Sequence, residues 1–236
     1  MNPTSEKNHG ALRAGRKAGI AIAVVAACAG LAWTAVSLTG ASTDSKPAAA
    51  ACSYTPSGSA GAAAVPPFNA EDAARPYRAK IVTDEGTVTI EALTKDAPCA
   101  TNSFAFLAGK KYFDGSKCHR LTVRGIYVLE CGDPAGEGKA DPGYWFKDEN
   151  LAGASYPAGT VAMSKAKPGR NGSQFFISYA DPRDRMSPHW TPFAKVVDGL
   201  DAVAKIASKG TADGSAAGKP KDPAVIKSVR VERPAG

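Results

Sequence analysis

The chain places a series of short alternating segments around only two helical segments, and this pattern restricts it to a mainly β fold. Residues 79–83 and 88–92 each carry an apolar or β-branched side chain at every second position, and Asp84-Glu85-Gly86 separates them as a turn. Similar patterns predict further strands at residues 118–122, 126–131, 160–164, 174–177, 191–197 and 225–231. Many short strands favour a closed β structure, and we expect a barrel whose two open ends are covered by the helices.

Two segments have helical periodicity instead. Asp96 is expected to cap a helix that has Pro98 in its first turn and ends at Gly109. A second helix is predicted from Asp198 to Gly210, because apolar residues recur there at helical spacing.

The stretch 171–177 contains the most unusual of the predicted strands. In an extended strand, Gln174 and Phe176 point to one face, whereas Phe175 and Ile177 point to the other. One face therefore buries apolar bulk, while the other presents an amide beside an aromatic ring. The spacing alone is compatible with a binding surface and with a core strand that holds one hydrogen-bonded glutamine.

The first 40 residues are interpreted as a targeting segment rather than as part of the fold. Residues 1–17 hold a basic cluster, and residues 18–40 form an uncharged, largely apolar run that can cross a hydrocarbon core of ~30 Å at ~1.5 Å per residue. The basic cluster predicts a single-pass membrane anchor with the rest of the chain outside the cytoplasm. Two alternatives remain open: a cleaved signal peptide that releases a secreted protein, and a lipoprotein anchored at Cys28.

Residues 41–76 are rich in Ala, Ser, Gly and Pro and contain few large apolar side chains. This composition predicts a linker that does not fold by itself. Cys52-Ser53-Tyr54 is the part of it that we expect to be attached to the domain. The folded domain is therefore predicted to span residues 77–236.

Four cysteines follow the apolar run, and an even number in an exported segment predicts two disulfides with three possible pairings. If residues 118–122 and 126–131 form a hairpin, Cys118 and Cys131 lie opposite each other at its open end. We therefore pair Cys118 with Cys131 and, by elimination, Cys52 with Cys99. The alternative is that the cysteines are free and buried.

Few side chains offer covalent or metal chemistry. The sequence contains no nucleophile elbow, and neither a C-x-x-C motif nor a histidine-rich spacing indicates a zinc site, so no metal and no cofactor are expected. Residues 1–17, with four basic residues and Glu6, account for +3 of the net charge of +7, and the remaining +4 is spread along the chain rather than clustered with aromatic residues. Nucleic-acid binding is therefore not expected.

Six motifs, taken together and in order, resemble the cyclophilin-type peptidyl-prolyl isomerases. They lie between Tyr77 and about Glu232, so the resemblance covers nearly the whole predicted domain, and its layout is similar to that of the exported cyclophilins of actinobacteria. The motifs are His119–Arg120, Gly132–Asp133, Phe146–Asn150, Gly159–Ser164, Asn171–Ile177 and Thr191–Val196.

The resemblance implies an eight-stranded antiparallel β-barrel capped by two helices. It also implies catalysis of cis/trans rotation about X-Pro bonds, with proline-containing polypeptides as substrates, and we expect the domain to act as a monomer. Such catalysis needs no covalent step. A hydrogen bond to the prolyl nitrogen favours the unconjugated state, and an apolar pocket holds the ring.

The resemblance also assigns roles to individual residues. Arg120 would donate to the prolyl nitrogen, Phe176 would form the floor of the proline pocket, and Gln174 would hydrogen-bond the substrate backbone. Further substrate contacts are expected from His119, Tyr127, Val128, Ser164, Lys165, Met186 and Trp190.

Several positions depart from the family pattern. Two extra residues lie between Arg120 and Gly132, and Glu130 stands where the family has a glutamine that orients the arginine. Lys165 replaces an asparagine whose backbone binds the peptide. Arg185 stands near the tryptophan associated with cyclosporin binding, so weak or absent cyclosporin sensitivity is expected. The alternative function is a proline-peptide-binding or chaperone module with little turnover.

Overall fold

A computed structural model describes residues 51–58, 64–165 and 167–234 of the chain. The described residues belong to one compact unit. The predicted basic tail, the apolar run at 18–40 and Cys28 lie outside these ranges. Among the residues that are described, no helix is both long enough and apolar enough to span a membrane.

Twelve strands and three helices occur in the described ranges. The strands are β1 (Thr55–Pro56), β2 (Arg78–Thr83), β3 (Thr87–Ala92), β4 (Ser116–Lys117), β5 (Arg120–Thr122), β6 (Val128–Cys131), β7 (Tyr144–Trp145), β8 (Thr160–Met163), β9 (Phe175–Ser178), β10 (Pro192–Asp198), β11 (Ala217–Gly218) and β12 (Val225–Glu232). The helices are α1 (Ala70–Ala74), α2 (Pro98–Gly109) and α3 (Leu200–Ser208).

Ten of these strands form one antiparallel sheet in the order β11-β5-β6-β9-β8-β10-β3-β2-β12-β4, and β1 pairs separately with β7. The hairpin predicted at residues 79–92 is present as β2 and β3, with Ile81 opposite Val88. The mainly β class is therefore confirmed. The closed eight-stranded barrel is not confirmed, because β4 and β11 stand at opposite ends of the strand order and do not pair with each other among the described strands.

One face of the sheet is buried in the main hydrophobic core. The register places one residue from each of β5, β6, β9 and β8 in a single cross-strand row on this face, namely Leu121, Leu129, Ile177 and Val161. Phe175 belongs to the same core and meets the ring of Phe104 on α2 edge-on. Because side chains alternate along a strand, the residues between these point to the opposite face.

Helix α2 begins differently from the prediction. Its N-cap is Ala97, which makes no side-chain hydrogen bond, so the expectation that Asp96 caps the helix is wrong. Instead, the carboxylate of Glu149 accepts hydrogen bonds from the backbone N–H groups of Cys99, at 3.0 Å, and Ala100, at 2.9 Å. A carboxylate suits this position because it satisfies unpaired donors at the positive end of the helix dipole.

Part of the segment predicted to be a linker packs on the domain. Strand β1 pairs with β7, and the hydroxyl of Tyr54 donates to the carbonyl of Cys99 at 2.8 Å. The ring of Tyr54 also meets that of Tyr144 edge-on, with centroids 5.5 Å apart. One aromatic anchor and a short strand pairing therefore attach to the domain a segment whose composition alone would not fold, as expected for Cys52-Ser53-Tyr54.

Two disulfides join the cysteines in the expected pairs. Cys118 is bonded to Cys131, with Cα atoms 4.0 Å apart, and Cys52 is bonded to Cys99, with Cα atoms 5.4 Å apart. The first links the ends of the β5–β6 hairpin, and the second fastens the N-terminal segment to the first turn of α2. Both disulfides join elements that are also in contact without them, because β5 pairs with β6 and Tyr54 bonds to Cys99.

Candidate active site

The outward face of the same four strands brings distant residues into one row. Arg120 on β5 lies opposite Glu130 on β6, Glu130 lies opposite Phe176 on β9, and Phe176 lies opposite Ala162 on β8. Directly opposed residues on one face of an antiparallel pair have Cβ atoms about 4.5–5.5 Å apart. Strand register alone therefore places an arginine, a carboxylate and an aromatic ring side by side.

Glu130 connects the polar residues of this row. Its Oε1 atom accepts a hydrogen bond from Nη1 of Arg120 at 2.8 Å, and its Oε2 atom accepts one from Oγ of Ser164 at 2.7 Å. The side chain of Glu130 is 13% exposed, whereas that of Arg120 is 50% exposed. Glu130 thus anchors one side of the guanidinium while the rest of the group faces solvent, where its other N–H donors can meet a ligand.

His119 precedes Arg120 and lines the same opening, next to Glu130. Its side chain is largely buried, its Nε2 atom is 4.0 Å from Oε2 of Glu130, and its Nδ1 atom is buried without a hydrogen-bond partner in the described part of the chain. Burial lowers the pKa of His119, although the charges of Glu130 and Asp133 act in the opposite direction. The lowered pKa favours the neutral ring at neutral pH, so the charged donor of the cross-strand row is Arg120.

Phe176 belongs to a small hydrophobic cluster that is separate from the main core. Val128, Tyr156 and Ala162 are buried against it, and Ile126, Ala154, Met186 and Trp190 pack at its edge, partly exposed. The rings of Tyr156 and Trp190 have centroids 5.8 and 6.2 Å from that of Phe176. We call this cluster the apolar pocket. An exposed edge around a rigid aromatic floor is a surface that can hold a small apolar ring.

The polar members of the cross-strand row, Arg120 and Glu130, line a cavity of about 300 Å³ that we call the cleft. Its walls include Arg120, Glu130, Ser164, Lys165 and Gln174. A larger cavity of about 590 Å³ lies near the C-terminal end of β12, but none of the predicted site residues lines it. We therefore locate the candidate site at the cleft and the adjoining apolar pocket.

The family model for cyclophilin-type peptidyl-prolyl cis-trans isomerases matches residues 78–231 of the chain. The chain belongs to the cyclophilin family. A probable peptidyl-prolyl cis-trans isomerase B of Mycobacterium tuberculosis is 38% identical over 166 residues, which are 64% of this chain and 53% of that protein. The namesake from Mycobacterium leprae is 35% identical over 209 residues, covering 76% of this chain and 70% of that one. The chain thus spans about half the length of the M. tuberculosis relative.

Solved structures support the same fold. A cyclophilin-type isomerase of Cryptosporidium parvum superimposes with a TM-score of 0.59 at 24% identity, covering 68% of this chain and 99% of that one. A second structure of that protein, determined in the presence of the dipeptide Ala-Pro, gives a TM-score of 0.58 at 26% identity and covers 66% and 98% of the two chains.

Tyr127 is not among the residues that the structure places against Phe176 in this cyclophilin. Its ring instead lies 5.9 Å from that of Tyr179 and below the guanidinium of Arg183. Ile126 packs at the apolar pocket in its place. Ile126 takes the place predicted for Tyr127 because side chains alternate, so that Ile126 and Val128 point to the same side of the chain. The same alternation, read from the sequence, could have identified Ile126. Tyr156, on a loop, carried no local signal of this kind.

Gln174 and Lys165 both use their side chains inside the protein. The Nε2 atom of Gln174 donates to the carbonyl of Ala140 at 2.9 Å, which ties β9 to the loop before β7. The Nζ atom of Lys165 pairs with Asp148, and the lysine side chain is only 7% exposed. Lys165 therefore lines the cleft without presenting its charge there, whereas Gln174 holds the loop that forms the far wall.

The loop after β6 is organised around the carboxylate of Asp133. This buried group accepts hydrogen bonds from the backbone N–H groups of Ala135, Glu137, Lys139 and Ala140 at 2.8–3.4 Å. Gly132 makes the close approach possible, because it has a φ of 95° and a Cβ atom there would clash with the backbone of Ser173. The loop that receives Gln174 is thus fixed by one charged acceptor.

Replacing Asp133 by asparagine is expected to destabilise the protein by about 1–2 kcal/mol at pH 7, because an amide offers one acceptor oxygen to four donors. Burial would raise the pKa of the Asp133 carboxyl, but the backbone donors together hold it below its ordinary 3.8. The wild-type advantage is therefore fully present above that ordinary value and is lost as the pH falls through the lower, folded-state value.

Urea unfolding of both proteins at pH 7 and at about pH 3 measures this difference in the free energy of unfolding. Asp198→Asn, a change at an exposed residue at the end of β10, is the matched control and should shift neither midpoint. An Asp133→Asn cost that is the same at both pH values would contradict the role given to the charge.

Proposed function

We propose that this domain catalyses cis/trans isomerisation of X-Pro bonds in exported polypeptides. The observation that carries the proposal is the cross-strand row in which the half-exposed Arg120 stands two strands away from Phe176. The uncatalysed barrier of ~18–20 kcal/mol reflects the partial double bond of the peptide C–N. Each ~1.4 kcal/mol by which the site binds the twisted state more tightly than the planar state accelerates rotation tenfold.

The proposed mechanism divides the work between the two halves of the site. The apolar pocket holds the proline ring against Phe176, with Met186 and Trp190 at the rim. Arg120 donates a hydrogen bond to the prolyl nitrogen, whose lone pair becomes available only when the amide is twisted. The carboxylate of Glu130 accepts a hydrogen bond from Arg120 at 2.8 Å and one from Ser164 at 2.7 Å. Ser164 thus fixes the carboxylate, and the carboxylate holds the guanidinium in place. The donor is thus oriented before substrate binds, which avoids reorganisation in the transition state.

The substrate side of the proposal also has support from a relative. The C. parvum cyclophilin-type isomerase has been determined in the presence of the dipeptide Ala-Pro. We infer that proline-containing segments likewise bind this chain across the cleft and the apolar pocket. Because the backbone N–H of Ser164 already donates to the carbonyl of Gln174 at 2.8 Å, we assign the backbone contact with the peptide to Lys165.

We further propose that the domain acts as a monomer outside the cytoplasm, held at the membrane by the apolar run at residues 18–40. The basic residues before that run support this orientation. The two disulfides among the described residues support an oxidising compartment. Protease protection of the C-terminal domain in intact and permeabilised cells tests the orientation, and protection only in intact cells would contradict it.

A proline-peptide isomerisation assay on the full chain tests the proposed activity. We expect the wild-type protein to accelerate the slow cis/trans phase in proportion to its concentration. If the phase is unchanged while the same peptides bind, the chain is a proline-peptide-binding or chaperone module. Phe176→Ala should abolish both binding and acceleration, because it removes the floor of the apolar pocket.

Cyclosporin is expected to inhibit this cyclophilin weakly or not at all. Arg185 stands near the position that the family resemblance assigns to a tryptophan, and it lines a cavity of about 520 Å³ next to Tyr156 and Met186 together with Arg183. A polar, cationic wall is a poor partner for an apolar cyclic peptide because its charge would be desolvated. Submicromolar inhibition in the isomerisation assay would refute this expectation.

A further inference from the structure

A second cavity, of about 180 Å³, opens beside the cleft and shares Ser164, Lys165 and Gln174 with it. We call it the side pocket. Gln174 lies two residues before Phe176, a spacing of about 7 Å in an extended chain. A peptide whose proline packs on Phe176 therefore brings a side chain to the side pocket roughly two residues away from the proline.

The walls of the side pocket carry an excess of positive charge. Four basic residues and one acidic residue line it, namely Lys139, Lys165, Lys167, Arg170 and Asp141. Lys165 is neutralised by Asp148, and Lys139 lies 3.5 Å from the carboxylate of the exposed Glu137. In the described part of the chain, no carboxylate forms an ion pair with Lys167 or Arg170. These two cations are therefore available to a ligand.

Two contacts position Arg170 before any ligand binds. Its guanidinium lies 4.7 Å from the ring centroid of Trp145, and its backbone N–H donates to the carbonyl of Lys167 at 3.2 Å across a tight turn. Trp145 is fixed in turn by the pairing of β7 with β1. Stacking on an aromatic ring leaves the edge of a guanidinium free, and that edge presents two parallel donors that match a carboxylate.

We propose that the side pocket selects an acidic side chain about two residues from the substrate proline. Arg170 binds the carboxylate, and Lys167 on the same turn adds a second positive charge. The inference rests on the proposed isomerase activity and deepens it, because it names the sequence class that the site prefers. Asp141 adds one negative charge to the same walls, and the two positive charges of Arg170 and Lys167 outweigh it.

The test is an isomerisation assay with matched peptides on the full chain. Each peptide contains one proline and carries glutamate, alanine or lysine at one of the three positions on either side of it. At one position we expect kcat/KM for the glutamate peptide to exceed that for the lysine peptide about three- to tenfold at low salt, the range for partly exposed ion pairs. The ratio should fall below about twofold at 0.5 M NaCl because the charges are screened.

Variants assign the preference to the two residues. Arg170→Glu combined with Lys167→Glu should reverse the ratio of glutamate to lysine peptides, and Arg170→Gln alone should reduce it towards one. Lys95→Glu, an exposed change at a cavity that shares no residue with the cleft, is the charge-matched control and should leave the ratio unchanged.

The outcomes separate this inference from the proposed function. If the alanine peptides are not turned over, the isomerase proposal itself fails. If the alanine peptides are turned over but glutamate gives no advantage at any position, only the selectivity inference fails. A glutamate preference that persists in the Arg170→Glu, Lys167→Glu double variant would place the selective charge elsewhere and would also overturn the inference.

Discussion

Replacing Arg120 by alanine is expected to lower kcat/KM for a proline peptide by about ten- to hundredfold. The loss follows from one charged hydrogen bond to the prolyl nitrogen, which contributes about 1.5–3 kcal/mol. Because that bond forms only as the nitrogen loses its conjugation, we expect the loss to appear mainly in kcat, with peptide affinity nearly unchanged. Isomerisation kinetics and isothermal titration with the same peptide measure the two quantities.

Two further arginine variants make this result specific. Arg120→Lys keeps the charge but loses the planar set of donors, so it should recover only part of the rate. Arg230→Ala is the matched control, because Arg230 is 51% exposed and its Nη1 atom lies 3.0 Å from a carboxylate oxygen of Asp114, much as Arg120 pairs with Glu130. It should leave the rate unchanged. An Arg120→Ala protein that is folded and as fast as wild type would refute the mechanism.

Much of the cross-strand row that contains Arg120 could be predicted from the sequence. Alternation at residues 171–177 separates Phe176 from Phe175, and the motif order pairs the strand of Arg120 with the strand of Glu130. The two cysteines at the hairpin ends indicated which two strands pair, but Cys118 directly opposite Cys131 would place Arg120 opposite Leu129, whereas the structure has Arg120 opposite Glu130. These features depend on local periodicity and on short loops, which a sequence displays directly.

Other features depend on partners that are distant in sequence and could not be inferred in this way. The cap of α2 comes from Glu149 instead of the adjacent Asp96. Tyr54 attaches a segment whose composition predicts a linker, because one ring and one disulfide compensate for its few apolar residues. Tyr156 reaches the apolar pocket from a loop without periodicity. In each case the stabilising contact is tertiary, and local propensity gives no indication of it.

Replacing Glu130 by glutamine is expected to raise kcat/KM about threefold to tenfold, whereas replacing it by alanine should lower kcat/KM about tenfold. The carboxylate has two opposing effects on Arg120. It orients the guanidinium through the 2.8 Å bond to Nη1, and its charge competes with the substrate for the same cation. Glutamine keeps an acceptor for Arg120 and a partner for Ser164 but removes the charge, whereas alanine removes both.

The Glu130 effect is expected to pass entirely through Arg120. In an Arg120→Ala background, Glu130→Gln should therefore give no gain, and the double-mutant cycle should show a coupling of about 1 kcal/mol. Glu91→Gln, which alters an exposed ion pair with Arg78, serves as the control for loss of a surface carboxylate. Thermal midpoints of all variants exclude a loss of folded protein as the cause.

A gain that persists without Arg120 would show that Glu130 limits the rate by direct contact with the peptide. Glu130 would then be a substrate-binding residue, and its charge rather than its hold on the arginine would set the turnover of this cyclophilin.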